Sequence, residues 1–124
     1  MSILLNEQKY ISLRTFRKTG VSVDTPVWFA SDNVSTYYVF SAESAGKVKR
    51  LRNSPRAQIA ACDYKGRLIG EWLNCYAWLI DDPEELGRAH NQFINKYGWI
   101  MRITDIFSWL SGRLNKRAYI RVEL

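Results

Sequence analysis

The residues with the clearest chemical content run from Ser44 to Asn53, in the order Ser-Ala-Gly-Lys-Val-Lys-Arg-Leu-Arg-Asn. A small polar residue and a glycine open a short helix, and four of the seven residues from Lys47 to Asn53 are cationic. The first turn of a helix leaves backbone N–H groups unpaired and carries the positive end of the helix dipole, so it stabilises an anion, phosphate above all. A lysine or arginine within reach adds a charge-assisted hydrogen bond. In this reading Ser44 caps the helix, Gly46 allows close approach to the backbone, and Lys47 and Arg50 share one face. Two other readings fit the same residues. The cations form a solvated face that maintains solubility. Alternatively, extended by Arg56, Lys65 and Arg67 and joined to plentiful aromatics, they form a nucleic-acid surface. Charge alone leaves the three open.

Thr25-Pro26-Val27-Trp28-Phe29 is the second unusual stretch. It reads either as a core strand with its proline at an edge or bulge, or as a strand whose backbone N–H and C=O groups face a planar ring. A flavin-like ring needs such partners, because its pyrimidine side presents both donors and acceptors. Side-chain catalysts are scarce. His90 is the only histidine and reads as solvent-exposed on a polar helix, so no Ser/His/Asp set can be built and no catalytic residue is named. Asp81-Asp82 and Glu84-Glu85 are explained by a helix start. Cys62 and Cys75 lack metal-ligand spacing and read as reduced, partly buried thiols, and no metal site is expected. There is no Gly-rich phosphate loop. An enzyme of this composition takes its reactivity from a cofactor.

The elements that must position these groups follow from periodicity. Tyr10 to Arg17, Val21 to Ala30 and Thr36 to Phe40 read as strands separated by turns. The basic helix follows, anchored by Val48 and Leu51 and stopped by Pro55. Arg56 to Asp63 reads as a strand, Tyr64-Lys65-Gly66 as its turn and Arg67 to Ile80 as one long strand. A helix starts at Asp81–Glu85 and runs to Tyr97, where Gly98 breaks it. Ile100, Ile103, Phe107 and Leu110 recur at helical spacing up to Gly112. Arg117 to Leu124 alternates as a half-buried strand with Ala118, Ile120, Val122 and Leu124 on one face. Six mainly antiparallel strands with flanking helices in 124 residues favour a closed or nearly closed barrel and one domain spanning 1–124. The net charge of +6 invites an anionic partner. The short apolar run Ile3-Leu4-Leu5 is too brief for a signal peptide and no stretch is long enough to span a membrane, so a soluble cytoplasmic protein is expected.

Three runs taken together, YISLRTFRKTGVSVDTPVWFA, GKVKRLRNSPR and CDYKGRLIGEW, followed by NKYGW and the closing strand, resemble the pyridoxamine 5′-phosphate oxidase-like superfamily. Within it they are most similar to the small class of deazaflavin (coenzyme F-420)-dependent oxidoreductases. The likeness covers nearly the whole chain. It implies an FMN-binding type of split β-barrel of about six antiparallel strands, mainly β with flanking helices. It implies a homodimer with F-420 or FMN at the subunit interface and a small conjugated molecule as substrate for hydride transfer. It also implies that Lys47 holds the cofactor phosphate, that Thr25, Pro26, Val27 and Trp28 lie along the ring, and that Ser41 is a small hydroxyl residue near the phosphate. Ser44, Gly46 and Arg50 join them from the anion-site argument. Pyridoxamine phosphate oxidases of this superfamily carry cations where Thr25 and Ala30 stand, and a C-terminal Arg and His motif that this chain lacks. Vitamin B6 oxidation is therefore not expected, and FMN is weakened relative to the deazaflavin. A single histidine gives little support for haem chemistry. A non-catalytic flavin carrier and a basic nucleic-acid-binding barrel are the alternatives from other classes.

Overall fold

A computed structural model describes residues 8–33, 35–112 and 117–124; the Ile3–Leu5 run lies outside them. Among the described residues six strands occur, β1 Tyr10–Phe16, β2 Ser22–Ser31, β3 Thr36–Ala42, β4 Arg56–Cys62, β5 Leu73–Leu79 and β6 Arg117–Glu123. They close into an antiparallel barrel in the order β1-β2-β3-β6-β5-β4. Three helices among the described residues flank it, α1 Gly46–Asn53, α2 Pro83–Tyr97 and α3 Trp99–Leu110.

Alternation along each strand divides the side chains between two cores. Ile11, Leu13, Val27, Phe29, Val39, Ile59, Ile120 and Val122 fill the barrel, joined by Leu51 from α1. On the outside of β2 and β3, Ala30 and Tyr38 pack against Ala89, Phe93, Tyr97 and Met101 of α2 and α3, with Trp28 and Phe40 at the margin. The α2 start follows the expected chemistry. Asp82 is the N-cap, its carboxylate accepting from Glu85 N–H at 3.2 Å, and Pro83 opens the helix. Gly98 separates α2 from α3 at φ +60°, a backbone conformation that glycine adopts without strain.

Two sequence expectations are corrected, and the direction of one apolar stripe becomes visible. The long strand Arg67–Ile80 is shortened to Leu73–Leu79. Residues 67–72 instead fold back on β4, where Ala61 C=O accepts from both Ile69 and Gly70 N–H and Leu68 bridges Cys62. Asp63 closes the intervening turn by accepting from Lys65 and Arg67 N–H, both at 2.9 Å. His90 is half-buried rather than exposed, with Nε2 2.7 Å from Asp105 Oδ2. Asp105 also accepts from Arg117 Nη1 at 2.7 Å. The apolar stripe Ile100, Ile103, Phe107 and Leu110 faces away from the barrel, because Met101, Asp105 and Ser108 are the residues of α3 that engage the rest of the chain.

Both cysteines are free and buried, and burial pushes their thiols up to about 11 for Cys62 and about 12 for Cys75. Both are therefore protonated and inert at neutral pH.

Candidate functional site

One of the places where neighbouring strands pair only in part lies between β2 and β3. β2 pairs with β1 from Ser22 to Trp28 but with β3 only from Phe29 to Ser31. Phe40, Ser41 and Ala42 at the end of β3 pair instead with β6 alone. Counting back from the Phe29–Val39 rung, Val27 falls opposite Ser41 and Thr25 opposite Glu43, without ladder bonds between them. Thr25–Trp28 and Ser41–Ser44 thus form two lips of a split.

The proline reinforces this geometry. Tyr97 Oη donates to Lys9 O at 2.7 Å and lies within hydrogen-bond distance of both Phe29 O and Phe29 N. It therefore supplies the missing rung where β1 ends. The backbone groups of Phe29 point toward β1, so those of Trp28, Pro26 and Asp24 point the other way, toward the split. Pro26 has no N–H to contribute on that side. Its ring lies 3.8 Å from the position a Cβ on Gly66 would take, so the turn after β4 packs beside it.

Beyond Ser41 the chain turns directly into α1. Ser44 is not the cap: the N-cap is Ala45, and no side chain caps the helix. The reason is the tight turn, in which Ala45 N–H donates to Ala42 O and Ala45 O accepts from Val48 and Lys49 N–H. The first turn holds no acidic residue. Gly46 does permit a close approach, and the group that uses it is Arg50: a Cβ there would sit 2.7 Å from Arg50 Nη1. Arg50 Nε donates to the fully buried Thr15 at 2.6 Å, tying α1 to β1. Lys47 is half-buried, and its pKa is lowered by burial and then by Arg50. Arg50 is itself lowered by burial and then by Arg17. Neither Lys47 nor Arg50 pairs with a carboxylate among the described residues. The start of α1 thus gathers Lys47, Arg50 and Arg17 close enough to disfavour one another's charge.

Two cavities adjoin the split. One of about 610 Å3 opens beside Ser41 and Ser44 and is closed on the far side by Ser108, Ser111 and Arg117. The other, about 410 Å3, is lined by Trp28, Tyr97, Lys96, Tyr10 and Ile100. Both fall in the size range of small-ligand pockets. Of the nine expected residues, Trp28 lines the smaller of these two and Ser41 and Ser44 the larger, whereas Thr25, Pro26, Val27, Gly46, Lys47 and Arg50 line neither. Trp28 is stacked on Tyr97, centroids 4.6 Å apart and planes 13° apart, which occupies one of its faces.

Arg117, Tyr97 and Lys96 are the site neighbours that sequence reasoning missed. Alternation in β6 did place Arg117 on the outer face, and its guanidinium is held by Asp105 and Ser108 over the Phe40 ring. Lys96 Nζ sits 3.3 Å from the Phe29 ring centroid with no hydrogen-bond partner among the described residues. The ring face favours the charged amine, but burial prevails and pulls its pKa down to about 8. Burial likewise raises the Tyr97 hydroxyl.

No family model and no curated protein matches the chain. Solved structures do. HutZ, the heme storage protein from Vibrio cholerae, is 17% identical with a TM-score of 0.70, over 94% of this chain and 82% of that one. A candidate pyridoxamine 5′-phosphate oxidase from Listeria innocua is 14% identical with a TM-score of 0.63, over 96% and 86%. An F420 reductase is 17% identical with a TM-score of 0.61, over 97% and 89%. At these identities the likeness is one of fold, and the split-barrel architecture expected from the sequence is the one present. No helix among the described residues is long and apolar enough to cross a membrane.

Proposed function

We propose that this chain is an oxidoreductase that holds F-420 or FMN in the split between β2 and β3. The observation that carries the reading is the start of α1, an uncapped, acid-free helix end with two unpaired cations, which directly follows the β3 lip of the split. These residues fit a phosphorylated cofactor: free N–H groups and Lys47 meet the phosphate, and Arg50, fixed by Thr15, adds charge beside it. When bound, a cofactor of either kind supplies hydride transfer to or from a small conjugated molecule. The chain orients it: the unpaired backbone edge at Thr25–Trp28 offers donors and acceptors to a ring, and Trp28, braced by Tyr97, walls one end. Ser41 and Ser44 place hydroxyls beside the larger cavity. A neutral residue at position 25 favours the deazaflavin.

A second copy of the chain completes the cleft in this reading. Leu68 and Ile69, on the stretch that folds back on β4 directly after the turn that packs on Pro26, are 51% and 48% exposed, and such a partner would cover them. Haem is not proposed, because His90 is engaged by Asp105. The test is titration of the purified protein with F-420 and with FMN, followed by absorbance and calorimetry. Saturable binding of either, with reduction of the bound cofactor by a hydride donor, supports the reading. Binding without turnover leaves a carrier, and no binding of either overturns it.

A further inference from the structure

Helix α3 is built inside out. Set at 100° per residue, Met101, Thr104, Asp105 and Ser108 share the inner side, whereas Trp99, Ile103, Ile106, Phe107, Trp109 and Leu110 spread over an outward arc of roughly 180°. These six outward residues are 41–69% exposed. Together they present on the order of 800 Å2, above the few hundred Å2 of a monomer's usual largest patch.

We infer that this face docks on the surface of an anionic phospholipid bilayer. Its charge is the first argument. The only acid of α3, Asp105, is turned inward, ion-paired with Arg117 and hydrogen-bonded to His90, so the outward arc contains no negative group and one cation, Arg102. The whole chain carries +6. An anionic surface therefore meets attraction and no carboxylate on this face. Its residue types are the second. Trp99 and Trp109 stand at the two ends of the helix, about 15 Å apart along the axis, with aliphatic residues and Phe107 between them. Tryptophan at the margins and branched apolar side chains at the centre suit a helix lying in the plane of the headgroup boundary. At 12 residues α3 is too short to cross and long enough to lie flat. A second copy is the less favoured occupant, because the apolar arc of each copy would bring its own Arg102 toward the shared seam.

The experiment uses the full chain and sucrose-loaded vesicles, of phosphatidylcholine alone or doped with phosphatidylglycerol. Expected is pelleting with the anionic vesicles, weakened by added salt, with a blue shift of tryptophan emission. Phe107, 67% exposed, can be charged without touching the core. Phe107→Glu should lower the bound fraction about tenfold while circular dichroism and sedimentation of the free protein stay unchanged. Absence of pelleting overturns the inference, as does pelleting that Phe107→Glu leaves intact. It is equally overturned if Phe107→Glu splits an oligomer, since a second copy then covers the face.

Discussion

Replacing Lys47 isolates the anion-binding argument from the stability of the fold. Its ammonium has no hydrogen bond or ion pair among the described residues, so Lys47→Ala removes no native contact partner. Burial and Arg50 disfavour its charge in the free protein, and the opposite charge of a phosphate placed there offsets both effects. A hydrogen bond to a charged group is worth about 1.5–3 kcal/mol, which is a loss of roughly ten- to more than a hundredfold in cofactor affinity. Calorimetry of F-420 and FMN against both proteins measures this directly. The pH dependence supplies a second arm. A bound phosphate raises the lysine pKa from its lowered value in the free protein, so affinity is full while the free amine is protonated and declines as pH rises through that value. Lys47→Ala should bind weakly and lose this decline. Equal affinity of the two proteins, or an identical pH profile, would refute the role assigned to Lys47. Unfolding of the variant without ligand should match the parent or slightly exceed it, since a disfavoured charge has been removed.

Two further predictions concern the β2 wall. Tyr97→Phe leaves the buried backbone groups of Phe29 and the Lys9 carbonyl without the hydroxyl that joins them, and should cost about 1–3 kcal/mol in urea unfolding; a cost below about 0.5 kcal/mol would remove Tyr97 as the closing rung of the β1–β2 ladder. Lys96 has a folded pKa of about 8 against 10.5 for the free side chain. Between those values the unfolded chain binds a proton that the native chain does not, so native stability rises with pH across that window, and the penalty is complete below it. Discounted for partial exposure, the rise relative to Lys96→Met should be on the order of 1–2 kcal/mol. Paired urea titrations near neutral pH and near pH 10 measure it, and parallel pH profiles for the two proteins would contradict a lowered Lys96 pKa.

Local chemistry was legible where neighbours in sequence settle it. Asp82 and Pro83 start α2 through contacts within one turn, and the alternation of β6 places Ile120 and Val122 in the core. Val48 and Leu51 anchor α1 for the same reason. What failed depends on partners far along the chain. Leu68 and Ile69 look like strand residues, yet the Ala61 carbonyl takes the backbone groups of Ile69 and Gly70 and turns the segment into a return loop. The stripe on α3 shows that a helix has an apolar face but not which way that face points. Direction is set by Asp105, which must accompany Arg117, whose side chain is only 6% exposed. Leaving that guanidinium unpaired would cost several kcal/mol, because its charge would be buried without compensation.

The same distinction explains how far the candidate site could be read. Ser41 through Arg50 is one continuous stretch, so the β3 lip and the cationic helix start can be recognised together without knowing the barrel. The β2 lip cannot, because a strand edge is open only where its neighbour stops pairing, and that is a property of two strands. Pro26 carries part of the signal: a residue with no N–H, inside a run that otherwise reads as a barrel strand, marks a side that needs no ladder donor. It does not say which neighbour is missing. Tyr97 does, by taking the backbone groups of Phe29 on the β1 side and leaving those of Pro26 to face β3. A hydroxyl on α2, far from both lips in sequence, therefore extends the β1-side pairing of β2 one rung beyond Trp28 and fixes the strand where the split begins, so under the proposed function its loss should be felt in cofactor affinity as well as in stability.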